Sequence, residues 1–335
     1  MKLYGYPNWV YSMFSFLGML LVCIPLPWHL HAGNTGTVMY IFWAAISCLN
    51  AFVNSVVWTG NAINHAPVWC DISSRLIIAE SVAIPAASLA INMNLYSISS
   101  STRVGGKTKE EKRHQLVSDL LITIGIPVLS MVMYYIPQGH RFDIYEDVGC
   151  YPETYNTWVA FVCVYTWPLV ISCISATYGV RSLWHFNKRR KDYNELLSAR
   201  VNNNIDKNRY WRLMGLSSMD IVITIPMSCW ALHTNAQQIE PWISWANTHT
   251  DFSRVVLYPG LIWRLSKLAY TALEATRWAY VMSAFIFFAF FGFGQEASSN
   301  YKKWYRFVAK YLRLPIPEWM KDPNETPRRF EASNK

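Results

Sequence analysis

The feature that most constrains this chain is a recurrence of long apolar runs, each near the roughly 20 residues an α-helix needs to cross the hydrocarbon of a bilayer. There are seven: Trp9 to Trp28, Thr37 to Thr59, Val68 to Ile98, Leu116 to Ile136, Thr157 to Trp184, Leu213 to Asn235 and Ala272 to Gly294. In hydrocarbon every backbone N–H and C=O must be paired within its own segment, so runs of this length resolve into helices. The expected fold is an all-α membrane protein, a seven-transmembrane helix bundle over residues 1–294 with a tail over 295–335. A further apolar run, Phe252 to Trp263, is broken by Arg254 and by Pro259 and Gly260 and is too short to cross. It reads as an outer loop or interfacial segment.

Charge sets the expected orientation. The net charge of +9 can serve nucleic acid or an anionic membrane face, and its distribution decides between them. The connection Ser99 to Gln115, the connection His185 to Arg212 and the tail after Gly294 together hold 22 of the 30 Lys and Arg residues. All three fall on one side of the bundle, as the positive-inside rule asks of a cytoplasmic face. The N-terminus is then outside and the C-terminus cytoplasmic, and nucleic acid is not needed as a partner. The first span is expected to act as an uncleaved signal anchor. No internal repeat is visible, which disfavours transporters built from inverted halves.

Catalysis finds no support. Of the eight histidines only His233 lies within a span, and no His, Asp or Glu cluster has metal-ligand spacing. A retinal pump needs a Schiff-base lysine in its last helix, where this chain has Arg277 and no Lys. No enzyme site, cofactor or metal is expected.

Cys23, Cys48, Cys163, Cys173 and Cys229 fall within spans and read as small apolar packing residues. Cys70 and Cys150 lie on the oxidising side and are expected to pair; the alternative is two free thiols, since spacing does not show proximity. Polar residues inside spans are functional candidates by default. Glu80 lies ten residues after Cys70, about 15 Å down the third helix. It either contacts a ligand or is neutralised inside the bundle. Arg75 is about 140° around the same helix from Glu80, so the two do not pair readily. Asn50 and Asn54 share a helix face and are expected to join helices. Asp119 and Asp220 are expected to pair locally with Lys or Arg. Pro85, Pro127, Pro168 and Pro226 each interrupt a span, as static kinks or as hinges. In the tail, Tyr301, Trp304, Tyr305, Val308 and Leu312 recur at helical spacing opposite Lys302, Lys303, Arg306, Lys310 and Arg313. That pattern describes an amphipathic interfacial helix, the alternative being a loose basic tail.

Six segments, in order along nearly the whole chain, resemble a known family. They are Pro25 to Leu30 (Pro-Leu-Pro-Trp-His-Leu), Pro67 to Ile72 (Pro-Val-Trp-Cys-Asp-Ile), Val148 to Cys150, Lys188 to Asp192 (Lys-Arg-Arg-Lys-Asp), Asn208 to Leu213 (Asn-Arg-Tyr-Trp-Arg-Leu) and Phe290 to Ala297 (Phe-Phe-Gly-Phe-Gly-Gln-Glu-Ala). Together they resemble the fungal lipopeptide mating-pheromone receptors, the a-factor receptor class of G-protein-coupled receptors (class D). The resemblance implies a multi-pass plasma-membrane receptor that binds a farnesylated peptide pheromone and activates a heterotrimeric G protein. Where relatives usually carry a basic residue after Ala90 to Asn92, this chain has Met93 and Asn94, and its tail is short. The acidic-Arg-Tyr and Asn-Pro-x-x-Tyr switches of rhodopsin-like receptors are absent.

A farnesyl group buries at about 0.8 kcal/mol per CH₂, so such a ligand implies a deep apolar site with few polar contacts. Expected contacts are Trp69, Tyr165, Trp230 and Trp278 as amphipathic anchors and Glu80, His233 and Arg277 as polar groups; each aromatic has a belt or packing role as its alternative. Lys188, Arg189, Arg190, Lys191, Arg209 and Arg212 are expected to meet the G protein or anionic membrane lipids. The competing function is a seven-helix transporter or channel.

Overall fold

In a computed structural model, residues 6–100, 108–188, 212, 214–216 and 218–311 are described. Among the described residues, six helical stretches are long and apolar enough to cross a membrane: Asn8–His31, Thr35–Val57, Pro67–Ser100, Lys109–Tyr134, Trp158–Phe186 and Met214–Ala236. In chain order the helices are α1 (Asn8–Cys23), α2 (Leu26–His31), α3 (Thr35–Val57), α4 (Pro67–Ser100), α5 (Lys109–Leu120), α6 (Ile126–Tyr134), α7 (Trp158–Ala160) and α8 (Thr166–Lys188). They continue as α9 (Ile225–Ala236), α10 (Trp245–Thr248), α11 (Gly260–Trp263), α12 (Lys267–Phe291) and α13 (Gln295–Tyr311). α12 has the length of a span, 25 residues, but carries Glu274 and Arg277 and is not among the six apolar stretches.

Helix ends follow local chemistry. The Thr108 side chain accepts from Glu111 N–H while the Glu111 carboxylate takes Thr108 N–H, a reciprocal cap. It starts α5 at Lys109, seven residues before the apolar run begins. The Ser266 side chain caps Ala269 N–H and starts α12 at Lys267.

Three of the four intramembrane prolines have a shared structural consequence. π-helical turns cover Leu121–Gly125, Phe161–Tyr165 and Asp220–Thr224, and each ends two or three residues before a Pro in the α-helix that follows: Pro127, Pro168 and Pro226. A proline ring clashes with the carbonyl four residues back and leaves it without its donor, and a locally widened turn accommodates both. For Pro127 the orphaned carbonyl is that of Thr123, and the Trp43 indole N–H of α3 donates to it at 2.8 Å. Pro85 instead sits inside an unbroken α4.

α4 is the central staff, with 72% of its apolar window buried against 22% for Lys109–Tyr134 and 6% for Met214–Ala236; it packs on α3, α6 and α8. Asn54 Nδ2 donates to Ser73 Oγ and Asn50 Nδ2 to the Ser73 carbonyl, so both asparagines tie α3 to α4. Toward the basic end one apolar core joins Val22, Ile41, Ile91, Phe186, Leu216, Phe287 and Phe291. At that end Asn94 Nδ2 donates to the Asp119 carboxylate. The Asp220 side chain lies outside the described residues.

The all-α expectation needs correction. Opposite the basic end, β1 (Phe142–Tyr145) pairs antiparallel with β2 (Gly149–Tyr151) and in parallel with β3 (Val255–Tyr258), in the order β2-β1-β3. These segments are rich in β-branched and aromatic residues, and Asp147 (φ 66°) and Gly149 (φ 88°) supply the left-handed positions of the hairpin turn. The run Phe252 to Trp263, read as a loop or interfacial segment, thus contributes β3 and α11. After α12, α13 forms, with Tyr301, Trp304 and Tyr305 exposed. The Tyr301 hydroxyl donates to the Gly292 carbonyl. Leu312 and Arg313, predicted to continue this helix, lie outside the described residues.

Candidate functional site

The three strands form the middle of a cap over the end of the bundle. A disulfide joins Cys70, at the start of α4, to Cys150 in β2, and Cys70, Cys150, Trp58, Phe142 and Ile144 bury one another. Arg141 donates from Nε and Nη2 to the two oxygens of Asp71 at 2.8 and 2.5 Å. That carboxylate raises the pKa of the Arg141 guanidinium. Arg264 pairs with Asp147, Asp147 accepts from Gly60 N–H, and Glu146 accepts from Gly260 N–H. Tyr145 stacks on Tyr258 with ring centroids 4.6 Å apart. Asn156 donates to the carbonyls of Asn235 and Gln238. The cap therefore binds together the connections between α3 and α4, α6 and α7, and α9 and α12.

Within the cap His140 is buried. Its Nε2 meets Asp143 Oδ1 at 2.7 Å, and its Nδ1 lies 3.2 Å from Arg254 Nη2 and 3.7 Å from Glu153 Oε2. A guanidinium only donates, so His140 Nδ1 accepts from Arg254 and Nε2–H donates to Asp143. Burial raises the Glu153 pKa against the lowering influence of His140. Burial likewise raises the Tyr145 phenol.

Below the cap, polar side chains gather on α12 and the N-terminal segment. Arg277 is 7% exposed; it pairs with Glu274 at 2.8 Å, reaches Asn8 Oδ1 and the Asp147 carbonyl at 3.3 Å, and lies 3.9 Å from the Tyr11 ring centroid. Trp278 Nε1 donates to the Tyr6 hydroxyl, which donates in turn to Glu274. Burial and the Glu274 contact together raise the Tyr6 phenol. Arg277 and Trp278 thus already hold the N-terminal segment and the cap to α12.

The remaining expected ligand contacts fall in separate places. Trp69 donates from Nε1 to Asn54 Oδ1 beside the disulfide. Tyr165 packs with Ile78, Tyr134 and Cys163. Trp230 and His233 are on α9, exposed, with His233 against Gln237. Glu80 is 1% exposed and leaves its Oε1 without a partner. The seven residues do not form one contact cluster.

Sequence reasoning missed a cleft of about 590 Å³ between α4, α6 and the cap, lined by Asp71, Arg75, Met131, Gln138, Arg141 and Phe252 among others. Arg75 donates to Gln138 and lies over the Tyr134 ring. An arginine inside an apolar run was the available signal; Gln138 and Phe252 reach it only through tertiary folding.

At the basic end Lys188 lies over the Trp184 ring. Arg212 abuts Gly294, where any side-chain Cβ would overlap its guanidinium. Arg189, Arg190, Lys191 and Arg209 lie outside the described residues. Among the described residues no three His, Cys, Asp or Glu side chains group to hold a metal. Aromatic walls with a few buried charges suit binding.

No solved structure matches the chain. It is 44% identical over 308 residues to the pheromone B alpha 3 receptor of Schizophyllum commune, covering 91% of this chain and 49% of that one. Identity is 31% over 306 residues to pheromone receptor 1 of Mycosarcoma maydis, covering 90% and 84%. With the pheromone a factor receptor of Saccharomyces cerevisiae it is 27% over 318 residues, covering 93% and 65%. The chain spans about half the length of the Schizophyllum relatives it matches. Since the pheromone A receptor family profile matches residues 10–311, nearly the whole bundle described above, the chain belongs to that family, one of receptors rather than enzymes.

Proposed function

We propose that this chain is a seven-helix, plasma-membrane G-protein-coupled receptor for a farnesylated peptide mating pheromone. The observation that carries the reading is the family match over residues 10–311. α12 supplies the seventh crossing: its charges Glu274 and Arg277 neutralise each other, which lowers the cost of holding them in a membrane. The excess of Lys and Arg on one side puts the capped end outside and the C-terminus in the cytoplasm. An oxidised Cys70–Cys150 pair accords with that assignment.

Glu80, Tyr165, Trp230 and His233 are the direct contacts in this reading. Trp69, Arg277 and Trp278 act at one remove by holding the cap. Lys188, Arg189, Arg190, Lys191, Arg209 and Arg212 face the G protein. The test is expression in a yeast strain that lacks its own receptor and carries a mating-pathway reporter, challenged with a panel of farnesylated peptides and their unlipidated counterparts. A response to a farnesylated peptide that is lost without the prenyl group supports the reading. Equal potency of the two forms points to a purely polar peptide site, and solute flux without reporter response to a transporter.

A further inference from the structure

The cleft between α4, α6 and the cap has a polar upper wall and an apolar floor. The floor is Leu76 and Met131, which both pack on a core cluster of Met39, Trp43, Ala79 and Ala83. The upper wall holds the cations Arg75 and Arg141 and the acid Asp71. Both carboxylate oxygens of Asp71 accept from Arg141. Arg75 is left with a neutral partner: it donates from Nη2 to Gln138 Oε1, its Nη1 has no hydrogen-bond partner, and no ion pair among the described residues includes it. Gln138 is buried, and its Nε2 donates to the carbonyls of His140 and Arg141, so the cap fixes the amide that holds Arg75. Two cations against one acid leave the cleft with an uncompensated positive charge above an apolar floor.

Two features put the cleft at a membrane interface. At 1.5 Å per residue the 34 residues of α4 run about 51 Å, about 20 Å beyond the hydrocarbon core, so a centred α4 leaves its first two turns among headgroups. Asp71 lies in the second of those turns and Arg75 one turn further in, at the boundary with hydrocarbon. The other feature is a group of rings beside the cleft. Phe252, which lines it, and Trp245 both pack against Tyr135, with centroids 5.7 and 5.8 Å apart. Trp245 and Tyr135 are exposed, as the rings of an interfacial belt are. Ile72 on the cleft's own wall, and Val128 and Val132 beside Met131 on α6, are exposed as well. The mouth is therefore flanked by apolar surface of the kind a bilayer covers.

We propose that this cleft binds the phosphodiester group of a phospholipid from the leaflet at the capped end, with Arg75 as the receiving cation and Leu76 and Met131 against the upper part of an acyl chain. A guanidinium presents paired donors that match phosphate oxygens, and an acyl chain covers the apolar floor that a free anion would leave wet. The volume of about 590 Å³ lies within the range of small-molecule sites. Because the walls come from α4, α6 and the segment at Phe252, a seated lipid ties the cap to two spans. Binding of this kind depends on a bilayer around the bundle and not on the identity of the pheromone.

The test uses the full chain in detergent micelles and, as probe, a phosphatidylglycerol bearing a diazirine at the top of one acyl chain. Photolabelling is expected in the peptides that contain Leu76 and Met131. Excess dioctanoyl phosphatidylglycerol or dioctanoyl phosphatidylcholine should displace it, whereas dioctanoylglycerol, which lacks the phosphate, and inorganic phosphate, which lacks the chains, should not. Arg75→Gln is expected to raise the probe concentration for half-maximal labelling about tenfold, the worth of one charge-assisted hydrogen bond. Met131→Trp fills the cleft and should abolish labelling there. Variants are compared only where the disulfide and the thermal melt match wild type, and displacement in wild type decides the matter if neither folds. Displacement by inorganic phosphate overturns the lipid in favour of a free anion, and displacement by dioctanoylglycerol overturns the role of the phosphate. Labelling spread over all lipid-facing helices without displacement overturns the site, as does an unchanged half-maximal concentration in folded Arg75→Gln. Labelling displaced by a peptide rich in Asp and Glu but by neither phospholipid overturns the lipid and gives the cleft to a peptide.

Discussion

Glu153 is buried in the cap beside His140 and Asp143, and burial raises its pKa above the ordinary 4.5. The folded state therefore keeps a proton that the unfolded chain has already released. More protons are bound folded than unfolded, so stability falls as pH rises from the ordinary carboxylate value through the raised one. Glu153→Gln is expected to flatten that fall, read as the melting temperature of purified receptor across a pH series; parallel curves for variant and wild type would sink the assignment. Gly149 is constrained by both backbone and space, with φ 88° and a Cβ position 2.7 Å from Asn54 Cβ. Gly149→Ala should cost about 1 to 3 kcal/mol, seen as a lowered melting temperature, and an unchanged melt would mean the hairpin is not pressed against α3.

Elements are held by crosslinks and by carbonyls that proline has orphaned. Cys70→Ser or Cys150→Ser removes a crosslink of a kind worth about 2 to 4 kcal/mol and is expected to loosen the cap. Limited proteolysis should then cut the β1–β2 region, and a protected hairpin in the reduced variant would show that the ion pairs suffice. Trp43→Phe leaves the Thr123 carbonyl without its 2.8 Å donor. Hydrogen bonds between membrane helices average below what hydrocarbon burial suggests, so a loss of about 1 kcal/mol is expected. If the effect persists in a Pro127→Ala background, where the backbone can supply its own N–H to Thr123, the indole is not filling the proline's gap.

At the scale of the whole molecule the two ends contrast. The basic end is a single apolar core that joins helices from both halves of the chain, while the capped end is held by the ion pairs Arg141–Asp71, Arg264–Asp147 and Arg277–Glu274. Arg212 sits at the basic end against Gly294, between the sixth-span helix and α13. Replacing Arg209 and Arg212 with Ala should lower signalling at unchanged surface level if they meet the G protein. Normal signalling at normal surface level would leave only lipid anchoring, at about 1 kcal/mol per basic residue.

What the amino-acid order determined alone was whatever depends on local composition. Apolar runs set the helices, because hydrocarbon leaves the backbone no other partner, and Pro127, Pro168 and Pro226, though not Pro85, mark where they change pitch. Cys70 and Cys150 were recognisable as a pair because both flank the same ends of spans. The cap was legible only in tertiary form, since β1 and β3 are separated by more than 100 residues and their short strands gain partners only when two loops meet. The same holds for the candidate site. Arg277 looked like a ligand contact because an arginine in an apolar helix demands a partner, and only the folded chain shows Glu274, Asn8 and Tyr11 already answering that demand.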